Sequence, residues 1–144
     1  QRKVGTMRRI TKLMPFIFLA LSLVFLSGVP WARALEGLLD GRVFVGESRE
    51  IHVGAAKIEE IKFVNGKLDA IVWATKDFTA GAYTAAYEND AIVFEAETIS
   101  PKQGTIKWRG IVRGDAIEVN YQWRKKGWLS DTVKDYAFKG IQKR

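Results

Sequence analysis

His52 is the only histidine in this 144-residue chain, and cysteine is absent. A nucleophilic triad needs an imidazole held between a nucleophile and a carboxylate. His52 falls in a stretch with few apolar residues to hold it, and no Gly-x-Ser-x-Gly elbow occurs. A surface or loop histidine is the expected reading, and the chain is not expected to be an enzyme. Structural zinc wants thiolate and imidazole ligands, so neither a metal nor a cofactor is expected. Glu95 and Glu97 stand two apart on one strand, a spacing that suits a cation or an acid–base pair. The same spacing is what a half-wet strand shows on its solvated face, and that reading is preferred. Glu59 and Glu60 read similarly, except that Glu59 falls on a face expected to be buried. Lys107, Arg109 and Arg113, with Arg124, Lys125 and Lys126, form the densest basic run after residue 34. A run of this kind is usually a solvated face, but it also offers a patch for anionic lipid or polysaccharide.

The aromatic residues carry more content. Tyr83, Tyr87, Phe94, Trp108, Tyr121, Trp123, Tyr136 and Phe138 are expected on the inner face of a sheet. They either fill the interior or line a cavity for one small ligand. Buried Tyr and Trp need hydrogen-bond partners, so several inward phenols point to a partly polar cavity. Small residues expected beside them (Ala70, Ala85, Ala96, Gly110) leave room for one.

The elements that must position these rings are hairpins. Residues 104–123 read GTIKWRGIVRGDAIEVNYQW. Gly114-Asp115 suits a two-residue type II′ turn. That turn pairs Val112 with Ile117, Gly110 with Val119, Trp108 with Tyr121 and Ile106 with Trp123. The aromatics then share one face and nearly all the charge falls on the other, so turn chemistry and binary pattern agree. Asn65-Gly66 is a type I′ signal inside a second hairpin over residues 58–75, pairing Phe63 with Leu68, Ile61 with Ala70 and Lys62 with Asp69. In that register Glu59 faces in and Trp73 faces out. Either a bulge shifts the register there or this end projects past the core. A third hairpin, over residues 81–97, turns at Asn89-Asp90 and pairs Tyr87 with Ile92, Ala85 with Phe94 and Tyr83 with Ala96. Residues 42–46 make a first strand and 131–141 a last one. Residues 47–57 hold either a short strand at 51–53 or a mobile loop.

About eight strands with short turns leave no crossover long enough for a parallel unit. The expected fold is all-β: an antiparallel meander closing into a small up-and-down barrel, since closure removes exposed edges. An open sheet or small sandwich is the alternative.

The barrel is expected to occupy residues 35–144 as a single domain. Residues 1–34 read as a signal peptide with an upstream extension. Met7 is followed by Arg8, Arg9 and Lys12, an apolar run at 15–26, and the small-x-small site Ala32-Arg33-Ala34. Cleavage would leave Leu35 first and place the protein in the periplasm or outside the cell. The apolar run is short for a span of roughly 20 residues. The whole chain carries a net charge of +7 from 23 basic and 16 acidic residues. Six of the basic residues precede Leu35 and no acidic ones do, which leaves 17 against 16 and a net of +1. Nucleic acid is therefore not an expected partner, and a membrane is expected only through an uncleaved leader.

LDGRVFVGE, FVNGKLDA, YTAAYENDAIVFEAETISPKQGTIKWRGIVRGDAIEVNYQW and YAFKG together resemble small secreted bacterial proteins with a lipocalin-like, or calycin-like, barrel. The resemblance covers most of the chain after the leader and implies that fold. Gly41-Arg42-Val43-Phe44 stands where lipocalins usually carry Gly-x-Trp. Two functions from different classes are expected: a non-catalytic barrel binding a small apolar or aromatic ligand, or a cell-envelope module acting through its outer surface. A cavity of roughly 300 Å³ or more favours the first; a filled interior favours the second.

Overall fold

The structure is a computed structural model that describes residues 37–144. The expected leader, its expected cleavage site and Leu35 lie outside the described residues. Eight antiparallel strands follow one another around a closed barrel: β1 (Val43–Glu50), β2 (Lys57–Val64), β3 (Lys67–Ala70), β4 (Gly81–Glu88), β5 (Ala91–Ser100), β6 (Gly104–Arg113), β7 (Ala116–Lys125) and β8 (Thr132–Gln142). β8 returns to pair with β1, Phe138 opposite Ser48 and Tyr136 opposite Glu50. The expected all-β meander is the fold found, and it is closed rather than an open sheet.

The turn residues set the registers. Asn65 and Gly66 both take positive φ, 52° and 72°, as a type I′ turn requires. Phe63 then pairs with Leu68 and Ile61 with Ala70. Gly114 takes φ 57°, and the hairpin it opens pairs Trp108 with Tyr121 and Gly110 with Val119. Asn89, at φ 56°, leads into the pairing of Ala85 with Phe94. These turns share one end of the barrel, the turn end. The connections at 51–56, 71–80, 101–103 and 126–131 share the other, the loop end.

The middle of the barrel is filled. Phe44, Phe63, Phe94, Phe138, Trp108, Ile61, Leu68, Ile106, Val112, Ile117 and Val119 are buried. Phe63 meets Tyr83 and Phe94 edge to face, ring centres 4.9 and 5.1 Å apart, the geometry aromatic quadrupoles favour. Of the small inner residues, Gly110 accommodates a ring rather than a cavity. A Cβ at Gly110 would lie 2.5 Å from the Phe94 ring. The turn end is closed by the segment before β1. Leu39 is fully buried, its N–H donates to the Tyr83 hydroxyl (3.0 Å), and that hydroxyl donates to Asp40 (2.8 Å).

The structure corrects three expectations. β1 runs on to Glu50, because residues 45–50 pair with β8; residues 51–54 then form a turn, not a strand. The hairpin expected over 58–75 ends at Ala70. The chain leaves the sheet there in one helical turn, α1 (Ile71–Ala74), which swings Trp73 inward to 4 % exposure. The conflict between an inward Glu59 and an outward Trp73 is thus resolved by neither a bulge nor a projecting end. Tyr87, expected inside, is 65 % exposed. It shares the inward parity of Tyr83 and Ala85 but sits one residue from the end of β4, beyond the last packed layer.

Candidate functional site

Polar side chains of the interior gather at the loop end. Ser48 on β1, Glu59 on β2, Thr98 and Ser100 on β5 are all buried. Each lies toward the loop end of its strand, where Tyr121, Trp73 and Tyr136 also stand.

Three rings stack across neighbouring strands. Trp108 on β6 and Tyr121 on β7 lie 4.3 Å apart between centres, and Tyr121 and Tyr136 on β8 lie 4.9 Å apart and nearly parallel. Trp73 stands across this stack, edge-on to Tyr121 at 6.0 Å and to Tyr136 at 5.4 Å. Its Nε1–H donates to the Tyr121 hydroxyl (3.3 Å), and that hydroxyl also shares a hydrogen bond with Ser48 Oγ. Burial pushes the Tyr121 phenol up to about 12, against the lowering effect of the Ser48 and Trp73 hydrogen bonds. It therefore stays neutral and acts as a fixed dipole. Trp108 Nε1 donates to Thr98 (2.9 Å) and Trp123 Nε1 to the Gln103 carbonyl (2.6 Å), so every indole turned toward the interior has a partner.

Glu59 explains why α1 forms. A helix leaves its first N–H groups without internal partners, and Ala70, at the N-cap position, offers no side-chain acceptor. Glu59 Oε1 supplies it from another strand, accepting from Val72 N (2.9 Å) and Glu60 N (3.0 Å). Its other oxygen, Oε2, accepts no hydrogen bond among the described residues. Burial raises the Glu59 pKa above the ordinary carboxylate range, and the Asp69 charge adds to this; the two backbone donors and Lys76 oppose it. Lys76 lies over the Trp73 ring, Nζ 4.5 Å from its centre.

Between the 51–56 turn and α1 a cavity of about 230 Å³ opens at this end. Its floor is Ser48, Glu59 and Tyr121, its walls are Trp73 and Tyr136, and Lys57 and Lys76 are at its rim. Glu50 and Lys134, paired at 3.3 Å, flank Tyr136. Burial raises the Tyr136 phenol, with Glu50 next in effect.

Of the aromatics expected inside, Tyr83, Phe94, Trp108, Tyr121 and Phe138 are buried, and Trp123 and Tyr136 pack half-buried against them. Only Tyr121 and Tyr136 border the cavity. Trp73 and Ser48 were not among the expected site residues; Glu59 was marked only by its inward parity. His52 stands exposed in the 51–54 turn with φ 66°. Glu95 is engaged by Arg109 at 2.9 Å on the outer surface, and Glu97 is exposed. Among the described residues no group of three His, Cys, Asp or Glu converges as a metal set would.

Compared with family models, with curated proteins and with solved structures, the chain matches none. The function must therefore be argued from the barrel and this pocket.

Proposed function

We propose that the protein is an exported, non-catalytic binding barrel that takes a small apolar or aromatic molecule in the loop-end pocket. One observation carries the reading: Glu59, whose Oε1 is committed to two backbone N–H groups and whose Oε2 has no hydrogen-bond partner among the described residues, lines a cavity together with Trp73 and Tyr136. A ring fits against those walls, and a hydrogen-bond donor on it reaches Glu59. No buried side-chain polar atom among the described residues lacks a partner, so Oε2 keeps access to solvent in the cavity, and a donor on the ligand would take the place of water there. The middle of the barrel offers no such space. At about 230 Å³ the cavity itself falls short of the roughly 300 Å³ that favours a ligand carrier, so volume alone favours the surface module and the binding reading rests on the chemistry of the pocket's lining. The occupant is accordingly a compact molecule of one or two rings. Export rests on the basic n-region, apolar run and small-x-small site of the leader.

Native mass spectrometry of the protein purified from its own cell extract tests the reading. A retained small molecule is expected, together with an N-terminus at Leu35. Tyr136→Ala removes a wall of the cavity and should lose the adduct. Lys107→Ala, on the outer face of β6, should keep it. Titration with indole, phenol, benzylamine and benzoate should give a saturable signal for at least one ring bearing a donor, with a Kd of about 0.1–1 mM, or roughly 4–5.5 kcal/mol. No adduct and no saturable signal from any of the four would overturn the proposal.

A further inference from the structure

The exposed apolar side chains are unevenly placed. Trp128 and Leu129 are 89 % and 87 % exposed, the most open large apolar residues among those described, and they sit side by side at the tip of the 126–131 connection. The tip is tightly turned. A Cβ at Gly127 would fall 1.9 Å from the Ser130 carbonyl oxygen, so only glycine lets the loop close on itself and hold the pair outward. Ile51 and Val53, in the neighbouring connection, are exposed too. That connection is tied to the same side of the barrel through Ile51 N donating to the Asp135 carbonyl. On the outer surface Ile99 on β5 and Val133 on β8 are also exposed, separated by Thr105 and Arg124 in one cross-strand row.

The charges around this tip are basic and largely uncommitted. Lys125 and Lys126 precede it, and Lys102 lies in the adjoining 101–103 connection, which reaches β7 through Lys125 Nζ donating to Gln103 Oε1 (3.2 Å). None of these three lysines forms an ion pair with a described carboxylate. The acidic groups nearby are engaged already: Asp131 by Arg124 (4.0 Å), Glu50 by Lys134 (3.3 Å), and Asp135 by a hydrogen bond from Gln122 (2.9 Å).

We infer that the loop end docks on an anionic lipid bilayer, with Trp128 and Leu129 entering the headgroup region and Lys102, Lys125 and Lys126 meeting the lipid phosphates. A two-residue apolar tip is too small for a stable protein interface, which buries about 800 Å² per partner. A tryptophan flanked by lysines suits the bilayer boundary instead, where the indole is amphipathic enough to stay and each basic residue adds attraction. The contact is separate from any made by the leader. It does not depend on the pocket binding a ligand.

Trp128 emission is the readout, because it reports the loop and not bulk adsorption. The full chain is mixed at low salt with vesicles of phosphatidylglycerol and phosphatidylcholine, or of phosphatidylcholine alone, and the spectrum of a Trp128→Phe variant is subtracted. The Trp128 difference spectrum should shift to shorter wavelength with the anionic vesicles, be quenched by brominated acyl chains, and revert as salt is raised. Trp128→Ser combined with Leu129→Ser should weaken the loop's contribution by about tenfold or more, with thermal unfolding unchanged. Lys126→Gln alone should weaken it about fivefold. A Trp128 spectrum indifferent to anionic vesicles overturns the inference. So does a lipid-free dimer, seen by light scattering and lost in the Trp128→Ser, Leu129→Ser variant, since the tip would then be an interface between copies.

Discussion

Glu59 is the residue on which packing and chemistry meet. It is 2 % exposed, yet Oε1 accepts two backbone N–H groups, one of which starts α1. Burial raises its pKa in the folded protein, whereas the unfolded chain titrates near the ordinary value of about 4.3. Between those two values the native state holds more protons than the unfolded one. Stability from this group is therefore fully present below about pH 4.3 and is lost as pH rises toward the folded pKa. Glu59→Gln keeps an Oε1 for both N–H donors and removes the ionisation. Its unfolding free energy, measured in urea across mildly acid to neutral pH, should lose this downward slope and rise above that of the parent at neutral pH. A parent and variant with parallel pH profiles would mean that Glu59 is ionised at no cost. Tyr83 and Tyr121, both pushed up to about 12 by burial, have the same sign at the alkaline end. Their contribution is present below about pH 10 and declines above it.

At the scale of elements, the β6–β7 hairpin is constrained both by its turn and by its packing. Gly110 has no side chain because the Phe94 ring from β5 occupies that space, and the Glu118 carbonyl lies 2.9 Å from where a Cβ would be. Gly110→Val should therefore cost about 1–3 kcal/mol through overpacking, read as a lower urea midpoint at unchanged m-value. Arg109→Val next to it on the outer face should cost far less, since its ion pair with Glu95 is 81 % exposed on the arginine side. This hairpin was fully legible in the sequence, because the Gly114 turn and the two-residue alternation each specify the same register. The Asn65-Gly66 turn was legible for the same reason. α1 was not. Ile71, Val72 and Trp73 are strand formers by propensity, and what makes them turn is an acceptor on β2, more than ten residues away. The continuation of β1 through Glu47–Glu50 was hidden likewise. Three of its four residues are charged and the stretch offers no apolar alternation, but β8 pairs with it from the far end of the chain. Parity placed Tyr87 inside correctly as a direction and wrongly as a depth, since alternation does not say where the packed layers stop. The pocket was only half legible: Tyr121 and Tyr136 were expected inside, but Trp73 on α1 and the 51–56 turn, which complete its lining, have no local signature.

At the scale of the whole barrel, the described residues are a sheet closed on itself, with two open ends that must be stopped by something other than strands. Leu39 stops the turn end, held there by Tyr83 and Asp40; Trp73 stops the loop end, held by Tyr121, Tyr136 and Trp123. These partners differ between the two plugs, and both plugs belong to one continuous core. Removing either plug should leave a cavity at one end, at about 2–5 kcal/mol for Leu39→Ala and 3–5 kcal/mol for Trp73→Ala. Because all eight strands are joined in one ladder, neither variant should unfold in pieces: each should give one transition with coincident fluorescence and circular-dichroism midpoints. Because the two plugs close opposite ends of the barrel, their costs should add to within about 0.5 kcal/mol in the double variant, provided enough stability remains to measure it, which low temperature or glycerol secures. A coupling energy well above that would mean that the filled middle transmits strain from one plug to the other. The pocket at the loop end would then answer to the segment that closes the turn end, and ligand affinity should change in Leu39→Ala even though Leu39 touches no part of the pocket.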